Sequence, residues 1–203
     1  MAGVNANLLV MPAGPALVKQ LAPQDLEGAK LLAKLRELID ALPSATPIDL
    51  VGSRASRWIT KREGSFGAWG APEVNVGKGH HLPELIQRYA LGKRAEQVEQ
   101  VRGQLGQPRP GVLTLVAIDG SAGLTPRAPL ALLDQAPEVD HWCRQLLAGQ
   151  LPEIAHNAAS LSDAGIIEPE LWLELASLQP QRAELINADI SLGVGRYVAR
   201  WEI

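Results

Sequence analysis

One cysteine, Cys143, leaves this chain of 203 residues no internal disulfide and no cysteine-built zinc site. A reducing, cytoplasmic compartment is the simplest expectation. Charge is equally unremarkable. Nineteen Lys and Arg against 22 Asp and Glu give a net charge of −3, so no global basic field exists to hold nucleic acid. No run approaches the roughly 20 apolar residues that a membrane helix needs. The apolar stretch Leu8–Met11 is too short for a signal segment, and nothing basic precedes it. Gly-x-Ser-x-Gly, His-Glu-x-x-His and a phosphate-binding glycine loop are all missing, as is any internal repeat. These absences exclude several enzyme classes and the commonest membrane and nucleic-acid roles.

What is there suits one soluble domain. Hydrophobic content of 46% with 20% charged residues is ordinary for a packed globular core. Asn7–Met11 reads as a buried strand ending in Pro12-Ala13-Gly14-Pro15. From Leu26 to Leu42 the residues Leu32, Leu35, Ile39 and Leu42 recur at helical spacing, with Lys30, Lys34, Arg36 and Glu37 on the other faces. Ile48–Val51 is a second strand, running into Gly52-Ser53-Arg54. Gly64–Gly70 reads as a loop, Glu73–Val76 as a weak strand and Pro83–Ala90 as a helix. Gly92–Pro110 is the most polar part, with four glutamines; either the helix runs on to about Gln104 or the segment is mobile.

The continuous apolar run Val112–Ile118 is the strongest strand, as expected where both faces are covered. Helices are predicted at Pro137–Leu147, Leu151–Leu161 and Glu170–Leu178. Two closing strands, Leu185–Ile190 and Val194–Trp201, are joined closely enough to be a hairpin. Alternating strands and helices predict a single α/β domain over 1–203: three layers, α/β/α, around a mixed, mostly parallel sheet.

The strongest strand breaks into Asp119-Gly120-Ser121-Ala122-Gly123-Leu124-Thr125-Pro126-Arg127-Ala128-Pro129. This segment resembles the Gly-Asp-Leu-Ser-His-Arg-Leu-Thr-Pro-x-Ala-Pro signature of the B-type class III extradiol ring-cleavage dioxygenases. Phe66-Gly67-Ala68-Trp69-Gly70 and Gly193-Val194-Gly195-Arg196-Tyr197 are similar to two further stretches of that family. The resemblance implies the family's B-type fold and a non-haem ferrous site. It also shows that the reactive residues have changed. Ala122 stands where the family has its acid/base His. Ala13 and Arg54 stand where it has two metal-binding His, in Pro12-Ala13-Gly14-Pro15 and Gly52-Ser53-Arg54. The family's Glu ligand corresponds to Asp163 or Glu168.

A ferrous centre for ring cleavage needs two imidazoles and a carboxylate on one face. Alanine offers no donor atom, and a permanent guanidinium opposes a divalent cation. The expectation is therefore a degenerate member without iron or ring cleavage, keeping a pocket for a small anionic or aromatic ligand or for a protein partner. Arg54, Ser53, Asp119 and Ser121 are the candidate ligand contacts, with Arg54 binding an anion or else pairing with Asp119 or Glu63. The rival is a working Fe(II)-dependent oxidoreductase with displaced ligands, drawn from His80, His81, His141 and His156; His80 and His81 are the fallback metal residues. A third reading is a scaffold with Trp58, Trp69 and Trp201 as anchors, for which a second copy of the chain is one candidate partner.

Overall fold

A computed structural model describes residues 7–152 and 154–203. Residues 1–6, where the sequence suggested no leader, and residue 153, inside an expected helix, lie outside that description.

Six strands form one sheet. They are β1 (Leu8–Met11), β2 (Ile48–Gly52), β5 (Val98–Arg102), β6 (Leu113–Ala117), β7 (Arg182–Asp189) and β8 (Arg196–Glu202), in spatial order β5-β2-β6-β1-β8-β7. The pairs β5/β2, β2/β6 and β6/β1 are parallel, while β8 lies antiparallel to both β1 and β7. Five strands thus share one direction and β8 alone opposes them. A separate two-stranded ribbon joins β3 (Ser65–Phe66) to β4 (Ala71–Asn75).

The helices divide between the two faces, so the three-layer α/β expectation holds. Leu9, Met11, Leu50 and Leu115 point to one face, where α1 (Leu26–Asp40) packs with Leu31, Leu35 and Ile39, and α2 (Leu82–Leu91) with Leu85 and Ile86. Leu8, Val10, Val51 and Val116 point to the other. There α3 (Ala136–Leu147), α4 (Ala158–Asp163) and α5 (Pro169–Ser177) bring Trp142, Leu161 and Trp172. This period of two, buried on both sides, explains why β1 and β6 read as unbroken apolar runs. No helix among the described residues is long and apolar enough to cross a membrane.

Three local expectations need correcting. The polar stretch after Gly92 is neither a continued helix nor a structureless linker: a 3-10 turn, Gly92–Gln97, leads into the edge strand β5. Only Val98 and Val101 of that strand pack on the core, so the sequence carries half of a strand signal and pairing with β2 supplies the rest. The helix expected over Leu151–Leu161 begins only at Ala158. Asn157 and Ser160 form a reciprocal capping box there, and Leu151 is 96% exposed. Of the proposed tryptophan anchors, Trp201 belongs to the core: it is 1% exposed and its indole N–H donates to the Leu147 carbonyl at 3.0 Å.

One buried ion network ties the layers. Arg196, 3% exposed at the start of β8, pairs with Asp25 at 2.5 Å and with Asp189 at 2.5 Å. Asp25 also caps α1 by accepting from the Gly28 N–H at 2.9 Å. A helix N-terminus and both strands of the last hairpin therefore meet at one guanidinium. Arg196→Met strands two carboxylates and is expected to cost about 3–5 kcal/mol in urea denaturation. Adding Asp25→Asn and Asp189→Asn should recover most of that loss; a single mutant as stable as wild type would show that the network carries no stability.

Candidate functional site

Strand register sets the position of the site. Val10, Val116 and Val51 are neighbours across β1, β6 and β2, as are Met11, Ala117 and Gly52, so the three strands end at one level. After β1 the chain turns to the face of α1; after β6 it turns to the face of α3. Neighbouring parallel strands whose connections leave on opposite faces open a crevice at their carboxyl ends. A cavity of about 520 Å3 lies there, lined by the loops after β1, β2 and β6, the start of α2, the entry to α5 and the β7–β8 turn. The volume is that of a small-molecule site. The loop pieces 12–15, 52–53 and 120–125 thus do converge, with Ala13, Gly14, Pro15, Ser53, Gly120 and Ala122 on one wall.

Asp119 holds this wall together. Its carboxylate accepts the Ala13 N–H at 2.9 Å, and its carbonyl accepts the Trp172 indole N–H at 2.9 Å. The residue after β6 is thereby bound to the β1 loop on one side and to α5 on the other. Close approach requires small residues: a Cβ on Gly14 would sit 3.1 Å from the carboxylate. A Cβ on Gly120 would come within 2.5 Å of the Tyr197 hydroxyl, which is committed to Asp140 at 2.5 Å. The glycines of the motif thus serve packing behind the cavity.

Among the described residues Asp119 forms no ion pair, unlike the other acids near the cavity. It is half-buried and lines the cavity. Burial raises its pKa to about 6, against the opposing pull of the backbone donors Ala13 and Gly14 and the charge of Arg196.

The remaining charges on the wall are already matched. Arg57 donates to Glu168 at 3.2 Å and lies 5.9 Å from the Trp58 ring centroid. The Trp58 indole N–H donates to the same Glu168 oxygen at 2.9 Å. Arg196 is held by Asp25 and Asp189. The rest of the wall is apolar, from Leu82 and Pro83 to Ile167, Leu192 and Val194.

Of the four expected ligand contacts, Ser53 and Asp119 line the cavity and Arg54 and Ser121 do not. Arg54 turns away, neither into the crevice nor towards Asp119 or Glu63, and pairs with Glu84 at 3.0 Å. Glu84 sits in the first turn of α2 and is also held by Arg88 at 3.0 Å, so two guanidiniums gather at a nearly buried acid. The Ser121 hydroxyl is spent inside the fold, donating to the Ala164 carbonyl at 2.6 Å and accepting the Gly123 N–H at 3.0 Å. Glu168 reaches the cavity, and Asp163 does not. The sequence did not single out Arg196, although a charge inside an apolar strand is a signal that a buried partner must exist.

The residues present do not fit a ferrous centre. Neither histidine nor cysteine lines the cavity, and the carboxylate of Glu168 is occupied by Arg57 and Trp58. Nor do the described residues gather three or more His, Cys, Asp or Glu side chains in a metal-holding group. The His80 Nδ1–H donates to the Thr60 carbonyl at 3.1 Å; the Nδ1 of His81 is buried without a partner, and burial followed by the charge of Arg54 lowers its pKa. His141 is exposed on α3. His156 stacks edge-on against Trp142 beside a second cavity of about 530 Å3, away from the strand ends. Cys143 is buried, which pushes its thiol pKa up and leaves it unreactive.

No protein-family model matches this chain, and no curated protein sequence matches it significantly.

The raised pKa of Asp119 gives a testable pH dependence. The folded state holds the proton more tightly than the unfolded chain, so this residue's contribution is full below about pH 4 and is lost as pH rises through 6. A shift from 3.8 to about 6 corresponds to about 3 kcal/mol. Relative to Asp119→Asn, wild-type stability should therefore decline across pH 4–7 by up to that amount. Parallel stability curves for the two proteins would place the Asp119 pKa at its ordinary value.

Proposed function

We propose that this chain is a degenerate member of the B-type class III extradiol dioxygenase-like family that binds a small aromatic ligand and does not cleave rings with ferrous iron. The observation that carries this reading is the cavity itself: Ala13 and Ala122, standing for two of the family's reactive histidines, share its wall with Asp119. The site keeps the enclosing loops while offering alanine methyls where the chemistry would be. A reduced cytoplasm remains the compartment that best suits its one buried thiol.

The charges favour an aromatic ligand with a hydrogen-bond-donating head over an anion. Both guanidiniums on the wall are already paired, and Arg54 faces Glu84. An anion would have to displace Glu168 from Arg57 and sit near the charge of Asp119. A phenol or amine instead gains an acceptor from Asp119 and apolar walls for its ring. The metal-dependent oxidoreductase reading would need histidines that lie off this wall. The scaffold reading retains Trp58 and Trp69 as partly buried side chains, but Trp58 already serves the cavity.

Calorimetric titration with phenol, benzylamine and benzoate at pH 7 tests this. Phenol and benzylamine are expected to bind, and benzoate at least about tenfold more weakly, a difference of about 1.4 kcal/mol. Asp119→Asn should remove the advantage of benzylamine, while Arg54→Ala should leave all affinities within about twofold. Benzoate binding tightest and being lost in Arg54→Ala would sink the reading in favour of an anion site. Anaerobic Fe(II) titration gives the other decisive outcome: stoichiometric binding with oxygen-dependent cleavage of catechol would restore the enzyme.

A further inference from the structure

Three large apolar side chains on the cavity wall are also exposed at the surface. Leu130 is 45% exposed, Ile167 39% and Leu192 42%. They come from three separate segments: the loop after β6, the entry to α5 and the turn between β7 and β8. Exposed leucines and isoleucines are unremarkable singly, but a contiguous group is a site for something apolar. All three line the same cavity while keeping a large part of their surface accessible. The cavity that holds Asp119 is thus also lined by large, accessible apolar side chains. Leu130 is also followed by Ala131, the one non-glycine residue with positive φ, 56°, among the described residues. Its N–H bond to the Ala128 carbonyl at 2.9 Å holds the loop in this left-handed turn at the rim.

We infer that the ligand carries an apolar tail, its ring and polar head lying near Asp119 and a linear alkyl substituent leaving across Leu130, Ile167 and Leu192. This inference rests on the aromatic-ligand reading and extends it to a class: alkyl-substituted phenols or aryl amines. A surface for docking a protein would present these side chains outwards as a patch. Here they continue an interior wall, which suits one molecule spanning both. Arg57 and Glu168 are paired with each other, which leaves the apolar side chains of the lining for the tail.

Chain length is the variable that tests it. Phenol, 4-methylphenol, 4-propylphenol and 4-pentylphenol are titrated into the wild-type protein and into Leu192→Ser and Ile167→Ser. Full burial of a methylene is worth about fourfold in affinity, and half-burial at an open rim about twofold. Affinity should therefore rise about two- to fourfold per methylene, and both variants should flatten that slope. If phenol binds and the alkyl series shows no slope, the tail inference is overturned while the aromatic-ligand reading stands. A slope that both variants leave unchanged overturns it as well, because the tail then lies elsewhere. Failure of every phenol to bind removes the aromatic-ligand reading and the tail with it. Sedimentation of the unliganded protein as a dimer that Leu192→Ser dissociates would mean that a second copy covers the rim, which also overturns it.

Discussion

Three parallel strands ending at the same level are the constraint from which the site follows. Parallel pairing of β1, β6 and β2 puts Met11, Ala117 and Gly52 side by side, so whatever follows them must share one end of the sheet. The connections after β1 and β6 leave on opposite faces, and no helix can close the gap between them. A loop that must cross this gap has few ways to satisfy its backbone. Asp119 provides one: a side-chain carboxylate reaches back to the Ala13 N–H, and the Asp119 carbonyl takes the Trp172 indole. The cavity is the space these bonds hold open.

Electrostatic matching decides what this space can accept. Buried charge is costly unless paired, and the protein pairs it consistently. Arg196 meets two aspartates, Arg57 meets Glu168, and Arg54 and Arg88 share Glu84. The exception among the groups near the cavity is Asp119, whose burial raises its pKa and which has backbone donors and the charge of Arg196, but no ion pair among the described residues, in return. An acid with no ion-pair partner, beside apolar walls, accepts hydrogen bonds when ionised and can donate one when protonated.

The glycine-rich motif after β6 has two separable parts. Its glycines and small residues make the tight packing in which Gly120 and Gly195 press against Tyr197, and the Gly120 N–H reaches the Gly195 carbonyl at 2.7 Å. These contacts demand small side chains whatever the site does. Ala13 and Ala122 line the cavity. Packing behind the loops and the lining of the cavity thus depend on different atoms.

The layered α/β architecture was legible in the sequence, since strand and helix periodicities and continuous apolar runs reflect burial that each element feels locally. The convergence of three loops on a cavity was legible for the same reason: β1, β2 and β6 each break into glycine- or proline-bearing loops. The edge strand β5 was not, because two valines amid polar residues become a strand only when β2 offers a ladder. Nor was the direction of Arg54 or the commitment of Ser121. A long side chain beside a cavity reaches whichever partner lies nearest, and Glu84, thirty residues away in sequence, is placed by the packing of α2. The sequence determined by itself the main apolar strands and helix faces and the loops that follow β1, β2 and β6, because those patterns reflect local burial. Only the tertiary structure decided which charges meet, because ion pairing depends on distances between elements that no local pattern encodes.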